Sequence, residues 1–395
     1  MNTMSTRLLR VLGGVVALIL VLDCVALAGW GGAHDERGTW DAHRALPAGL
    51  TGLPTLEHFV EHARGLRFKQ PVAVELVDRQ ELNNARHRED DLVSGGAHAL
   101  EPTTRPDGGA VLGVMGLVPA GADVDAAVDT AEDQGVVGVY FPRQKRLLVI
   151  GQEQTPFVRE VLVHELTHAL DDQYFDLGRQ DVALHDDEAL ESWRALGEGD
   201  ATSVEKQYLE AMTPADRQSA LQERAGFAAG GAGTPSALDD LLSYPYVAGV
   251  AFVDKLRADH GNRAVNAAFR NPPKTSGQIL RPDHFLSHDA PAIVAKPTPR
   301  GAPVGRGVFG VLHLGMLLST TLDGAHIRDA LDGWDGDRFV AWTEANGRTC
   351  LDINVANDSP TAAGKLSAAL QGWLDHNPSG SVAVNGDVVK FERCA

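Results

Sequence analysis

The chain has 395 residues, 44% of them hydrophobic, which is enough apolar surface for the core of one large domain or two ordinary ones. Its formal net charge of -18 disfavours a nucleic-acid partner, because binding to a phosphate backbone needs a basic surface. The composition therefore indicates a globular protein and excludes a disordered tail.

The N-terminus has the pattern of an export signal. Arg7 and Arg10 precede a charge-free apolar run at residues 11–22, and Ala26 and Ala28 then form a cleavage pattern of small residues. We therefore expect a protein that is secreted or held in the cell envelope.

An uncleaved membrane anchor is the alternative to cleavage after Ala28. The apolar segment is long enough to cross a bilayer if Asp23 is tolerated, and it would attach the chain to a membrane through residues 7–30. The predicted organisation is a signal peptide or anchor at residues 1–28, a tether at 29–54, and one folded domain at 55–395.

Two cysteines remain once the leader, which contains Cys24, is set aside. Cys350 and Cys394 each stand beside a predicted strand, and an even pair in an exported chain indicates a disulfide. We place this disulfide in a C-terminal α/β subregion at residues 335–395.

Helices and strands are mixed along the predicted domain, so we expect an α+β fold. The predicted elements, in chain order, are a helix at 55–65, a strand at 72–77, a loop at 94–110, a helix at 123–134, two strands within 135–151 joined by a turn at 142–146, a helical region at 155–212, helices at 246–261 and 263–270, helices at 307–322 and 362–374, and short strands around both cysteines.

The helical region that follows the two strands contains the sequence HELTH. Thr155 can cap this helix, and Pro156 suits its first turn. His164 and His168 then lie one turn apart on a face distinct from the apolar one, as two ligands of one ion must. Glu165 is close enough to reach a water on that ion. The segment therefore predicts a zinc site with two histidine ligands and a glutamate general base.

A catalytic zinc site normally takes a third protein ligand. The next predicted helix, residues 187–211, carries Glu198 between Gly197 and Gly199. Glycine destabilises a helix interior by about 1 kcal/mol, so the pair suggests that this helix approaches the histidine helix closely. Glu198 is therefore our first choice for the third ligand.

Other carboxylates remain open as the third ligand. Asp200 is the runner-up, and Glu191 and Glu188 follow. In addition, Glu191, Glu198 and Glu205 recur at a spacing of seven, a pattern that is common on a solvated helix face.

Two segments, VLVHELTHALDDQYFDL and ALGEGDAT, resemble the gluzincin clan of zinc metallopeptidases, in which two histidines and a downstream glutamate hold the zinc. More closely, residues 111–285 resemble a group of bacterial exported proteins with the same motif. Besides the two helices, the matching segments are VMGLVPAGADVD, GVVGVYFPRQKRLLVI, YPYVAGVAFVDKL and PPKTSGQILRPDHF. The resemblance implies a zincin-like fold, one catalytic Zn²⁺ on His164, His168 and Glu198, and hydrolysis of a peptide or protein substrate.

The chain departs from this resemblance in two places. The interval from His168 to Glu198 holds 29 residues, more than in thermolysin-like enzymes. Arg281 and Pro282 stand where the exported group has a His-Pro pair.

Further residues are candidates for roles around the zinc. An oxyanion needs a hydrogen-bond donor, for which the candidates are Tyr244, Tyr246, His284 and His288, with a structural role as the alternative for each. Asp171 and Asp172 are candidates for orienting a ligand histidine through its second ring nitrogen, and the alternative for them is a solvated pair at the end of the helix.

Two other functions are compatible with the sequence. One is a non-catalytic envelope protein that binds zinc structurally, and the other is a zinc amidase acting on a non-peptide envelope substrate. Glu165 favours catalysis, because a structural site needs no base and usually closes with a fourth Cys or His ligand. No cysteine lies near the motif in the sequence.

Overall fold

A computed structural model describes residues 49–97, 107–178, 187–228 and 236–395. The predicted leader, residues 1–28, and the tether up to residue 48 lie outside these ranges. Within them, every helix is too short or too polar to span a bilayer. Leu50 and Leu53 are fully buried, and the first helix begins at Leu53, within the last residues of the predicted tether.

The described chain combines helices with two sheets, which confirms the predicted α+β class. The helices are α1 (Leu53–Arg64), α2 (Arg79–Ala97), α3 (Gly108–Val114), α4 (Val124–Gly135), α5 (Pro156–Phe175), α6 (Asp187–Ala211), α7 (Pro214–Ala228), α8 (Ser236–His260), α9 (Asn262–Arg270), α10 (Ser276–Leu280), α11 (Pro282–Leu286), α12 (Gly310–Ser319), α13 (Gly324–Leu331) and α14 (Pro360–His376). The strands are β1 (Ala73–Val77), β2 (Gly138–Phe141), β3 (Arg146–Ile150), β4 (Ala302–Gly307), β5 (Trp334–Thr343), β6 (Thr349–Asn357), β7 (Gly380–Asn385) and β8 (Val388–Cys394).

The predicted loop at 94–110 is wrong at both ends. Helix α2 runs to Ala97, and α3 begins at Gly108. Asp107 caps α3 by accepting a hydrogen bond from the backbone N of Ala110 at 3.0 Å, so a short polar residue read as a loop signal starts a helix instead.

The smaller sheet lies against the helix that carries the HELTH sequence, α5. Its order is β1-β3-β2, with β1 parallel and β2 antiparallel to β3. The pair β2–β3 is the predicted strand pair. A Cβ on Gly138, at the start of the edge strand β2, would lie 2.6 Å from Val161 and 3.1 Å from Cγ of Glu165. Glycine therefore lets the edge strand pass close to Glu165.

Helix α5 begins as predicted but is buried on more sides than predicted. Oγ1 of Thr155 accepts a hydrogen bond from N of Val158 at 3.2 Å, and Pro156 occupies the first turn. Phe157 and Val161, which share the histidine face, are fully buried, so the predicted separation of this face from the apolar one is wrong. The reason is tertiary, because α1, α6, α7, β2 and β3 all pack around this one helix.

Helices α6 and α8 cross where two glycines meet. A Cβ on Gly199 would overlap the backbone of Gly249, whereas a Cβ on Gly197 would meet no described atom within 4 Å. The close approach predicted from the Gly-Glu-Gly sequence therefore involves only Gly199. It is made to α8 and not to the histidine helix.

The larger sheet has the order β4-β5-β6-β8-β7, with antiparallel neighbours throughout. Cys350 in β6 lies opposite Cys394 in β8, and the two form a disulfide, as predicted. Because β4 belongs to this sheet, the sheet starts earlier in the chain than the predicted subregion at 335–395. Helices α12 and α14 pack on it and share one core with α6 and α8.

Candidate metal centre

Helices α5 and α6 bring three ligand atoms together. Nε2 of His164 lies 3.1 Å from Nε2 of His168 and 3.2 Å from Oε2 of Glu198. Nε2 of His168 lies 3.6 Å from the same oxygen. A tetrahedral zinc ion with ligands at about 2.0–2.1 Å separates its ligand atoms by about 3.3 Å. The three side chains therefore fit a zinc ion, and a set of three protein donors is typical of a catalytic site.

The charges of His164 and Glu198 depend on each other. Burial by itself lowers the pKa of His164, but hydrogen bonds to Glu198 and Glu205 raise it to about 10. Burial by itself raises the pKa of Glu198, but the two histidines lower it to about 2. Because a histidine ligand must be unprotonated, a metal ion competes with a proton for His164.

Glu165 lies beside the three ligand side chains, and only one of its two carboxylate oxygens has a hydrogen-bond partner among the described residues. Its Oε2 accepts a hydrogen bond from the backbone N of Tyr140 in β2 at 2.8 Å. Its Oε1 is buried and has no hydrogen-bond partner among the described residues. Burial raises the pKa of Glu165 to about 7, against the opposite effect of the two histidines. An unsatisfied buried oxygen is costly to a fold, so Oε1 of Glu165 calls for a partner other than the described residues.

Glu205 lies behind His164, although the spacing of seven predicted a solvated stripe. It is buried, and its Oε2 lies 3.0 Å from Nδ1 of His164. A carboxylate at Nδ1 keeps the proton on that nitrogen and leaves Nε2 free for a metal. The spacing of seven places Glu205 and Glu198 on one helix face, but the spacing alone does not show that both carboxylates meet His164 on α5.

The predicted role of Asp171 and Asp172 behind a ligand histidine is wrong. Oδ1 of Asp171 accepts a hydrogen bond from Nη2 of Arg64 at 2.7 Å. Oδ2 of Asp172 accepts from the hydroxyl of Tyr140 at 2.7 Å and from Nζ of Lys145 at 2.6 Å. These partners come from α1 and from the smaller sheet, so both carboxylates tie α5 to its neighbours.

Asp200, the runner-up for the third ligand, lies on the other side of α6. Its carboxylate is 2.6 Å from Nε of Arg64 and 2.5 Å from Nη2 of Arg257. A helix turns about 200° over two residues, so Asp200 cannot point where Glu198 points. The structure therefore brings Glu198, and not Asp200, to the two histidines.

The remaining third-ligand candidates also have other partners. Oε1 of Glu188 accepts from the backbone N of Ser276 at 2.6 Å. Glu191 pairs with Arg194 at 3.2 Å on the same helix. Both residues therefore contribute to the packing around α6 and not to the group of ligand atoms.

Of the predicted oxyanion donors, Tyr246 borders the metal centre. Its ring centroid lies 6.4 Å from that of His164. Burial raises the pKa of Tyr246, and the carboxylates of Glu198 and Glu165 raise it further. The phenol therefore keeps its proton, and its hydroxyl is already hydrogen-bonded to Glu198.

The other predicted donors lie in different surroundings. Tyr244 is buried, with its pKa raised by burial and by acids near the start of α6. His284 pairs with Asp289 at 3.0 Å on the surface, and His288 is exposed. Arg281, at the departure from the family pattern, donates to backbone carbonyls at the junction of α13 and β5, which is a structural role.

No family model, curated protein or solved structure matches this chain. The geometry of the candidate metal centre is therefore the basis for proposing a function, and the family resemblance stays a prediction.

Proposed function

We propose that the protein is a zinc-dependent hydrolase of peptide bonds with a zincin-like domain that acts outside the cytoplasm. One observation carries the proposal. Three ligand atoms lie 3.1–3.6 Å apart beside Glu165, whose buried Oε1 has no hydrogen-bond partner among the described residues. A metal ion and a base for water are the two parts that such hydrolysis needs.

In this proposal His164, His168 and Glu198 hold the zinc. When bound in such a site, zinc acidifies a water molecule and polarises the carbonyl group of the substrate. Glu165 accepts the proton of the water on Oε1 and passes it to the leaving amine, while Oε2 stays on the backbone of β2. Burial, which raises the pKa of Glu165 to about 7, suits a group that must take up and release a proton near neutral pH.

Tyr246 supplies the hydrogen bond for the developing oxyanion. Its raised pKa keeps the hydroxyl protonated, and it stands beside His164 and Glu198. A matched substitution, Tyr246→Phe, removes only the hydroxyl and should lower kcat by about 10²–10³ with zinc content unchanged. A variant with wild-type kcat would assign this role to another residue.

The export pattern at residues 7–28 and the bond between Cys350 and Cys394 support action in an oxidising compartment, either in solution or attached to a membrane through residues 7–30. The presence of Glu165 beside three donor atoms favours catalysis over a structural zinc site, which is the first of the two other functions. Peptide and non-peptide amides need the same chemistry, so the experiment must separate them.

The test combines zinc analysis of the purified protein with hydrolysis of casein and a peptide library, in which new amino termini are identified by mass spectrometry. We expect one zinc ion per chain. Glu165→Gln should lower hydrolysis by about 10²–10⁴-fold and retain the zinc. Glu191→Gln is the matched control on α6 and should retain both zinc and activity.

Two results contradict the proposal: a wild-type protein that binds no zinc, and a Glu165→Gln variant that is as active as the wild type. Release of amines from non-peptide amides, with no new peptide termini, would favour the amidase instead.

A further inference from the structure

A cluster of buried charges lies directly behind His164. Nη2 of Arg224, near the end of α7, lies 2.9 Å from Oε1 of Glu205 and also contacts Glu160 on α5. The other oxygen of Glu205 lies 3.0 Å from Nδ1 of His164. We call Glu160, Glu205 and Arg224 the ligand-side cluster. It forms a continuous chain of polar contacts from α7 to a metal ligand.

The ligand-side cluster places two carboxylates against one guanidinium with little water nearby. Glu160 is 0% exposed and Glu205 is 6% exposed, and the Arg224 side chain is 18% exposed. A buried carboxylate without a compensating charge takes up a proton or moves towards solvent. Arg224 therefore supplies a charge that compensates Glu205 and holds it in contact with His164.

Helix α7 packs against the first half of α5. Oγ1 of Thr155, the cap of α5, donates a hydrogen bond to Glu223 at 3.0 Å. The ring centroids of Phe157 and Phe227 lie 5.3 Å apart. These contacts hold the two helices together, and Arg224 adds the contact that reaches a ligand of the metal centre.

We propose that Arg224 is a positioning residue for the metal centre. By holding Glu205 on Nδ1 of His164, it fixes the ring so that Nε2 faces the zinc. The inference rests on the zinc site of the proposed function. A carboxylate behind a histidine ligand contributes roughly 10–100-fold to metal affinity, and Arg224 controls this contribution through Glu205.

The test measures the dissociation constant for Zn²⁺ by chelator competition on the full chain and its variants. Arg224→Met should weaken zinc binding by about 10–100-fold, and Arg224→Lys should restore part of the loss because it keeps the charge.

The matched control is Arg159→Gln. Arg159 on α5 pairs with Asp216 on α7 at 3.1 Å, so its loss loosens the same two helices without touching the ligand-side cluster. Zinc affinity should be unchanged. The visible absorption of Co²⁺ in the site gives a second readout, because it reports ligand geometry, and it should change in Arg224→Met but not in Arg159→Gln.

The outcomes separate this inference from the proposed function. Wild-type zinc affinity in Arg224→Met overturns the inference and leaves the proposed function standing. Equal losses in Arg224→Met and Arg159→Gln also overturn it, because helix docking alone would then explain them. A wild-type protein without zinc overturns the proposed function and the inference together. If Arg224→Met does not fold, Arg224→Lys decides: weaker zinc binding supports the inference and wild-type binding overturns it.

Discussion

On one face of α6, Glu198 and Glu205 contact the two ring nitrogens of His164, whereas on the other face a third acid is enclosed by two arginines. That acid, Asp200, lies 2.6 Å from Arg64 and 2.5 Å from Arg257. Glu198 lies where a cation can bind and Glu205 lies behind His164, whereas Asp200 is already compensated. The partner, and not the residue type or its burial, decides which carboxylate is available to a metal.

The two helices α5 and α6 are also joined by two arginines with different surroundings. Arg224 and Arg64 each bridge acids of α5 and α6, through Glu160 and Glu205 in one case and through Asp171 and Asp200 in the other. We call Arg64, Asp171, Asp200 and Arg257 the Arg64 cluster. The ligand-side cluster reaches a metal ligand and the Arg64 cluster does not, so we expect the first to control zinc affinity and the second to control stability.

The largest effect is expected from a pair of substitutions two residues apart. Glu198→Gln should lose stoichiometric zinc and, with it, hydrolysis, because it removes a ligand. Asp200→Asn should keep the zinc but lower the free energy of unfolding by about 3–5 kcal/mol, because it leaves Arg64 without a full counter-charge. Zinc analysis and urea denaturation measure the two effects, and loss of zinc from Asp200→Asn alone would reverse the assignment of the two faces.

Arg64→Met should separate stability from metal binding. The side chain of Arg64 is fully buried, and its loss leaves Asp171 without a counter-charge and Asp200 with Arg257 alone, so the free energy of unfolding should fall by about 3–5 kcal/mol. Zinc affinity of the folded protein should stay near the wild-type value. If zinc affinity falls as far as in Arg224→Met, both clusters control metal binding, and the proposed difference between them is wrong.

The disulfide joins two strands of the larger sheet, outside α5 and α6, and its loss should lower the free energy of unfolding. Cys350 and Cys394 are 44 residues apart in sequence, and closing a loop of that size stabilises a chain by about 4 kcal/mol in the entropy model. The double variant Cys350→Ser/Cys394→Ser should lose that amount in denaturation, with zinc affinity unchanged. A coupled loss of zinc would show that the larger sheet supports the metal centre.

The smallest effect is expected from the two glycines beside Glu198. Gly199→Ala should destabilise the protein by about 1–3 kcal/mol, because its methyl group would overlap the backbone of Gly249. Gly197→Ala should stabilise it by about 0.5–1 kcal/mol through helix propensity. Thermal denaturation compares them, and equal effects would mean that α6 and α8 can separate at low cost.

Local sequence patterns were sufficient for much of the site and its surroundings. The Thr155 cap, the strand pair before it and the histidines one turn apart follow from cap chemistry, turn signals and helical periodicity. Glu198 followed from its flanking glycines, although the helix that approaches them is α8 and not α5. Glu198 as the third ligand stays a prediction, and the structure corrects the reason for which the glycines indicated it.

By itself, the sequence predicted the α+β class, the three side chains that meet in the candidate metal centre and the pairing of two cysteines, because each depends on patterns or counts within short segments. Only the tertiary structure decided the partners of the buried acids. Arg64 is 107 residues from Asp171, and Arg224 is 19 residues from Glu205 on the next helix. Helical periodicity gives the direction of a side chain, but which distant charge meets it is set by how the helices pack.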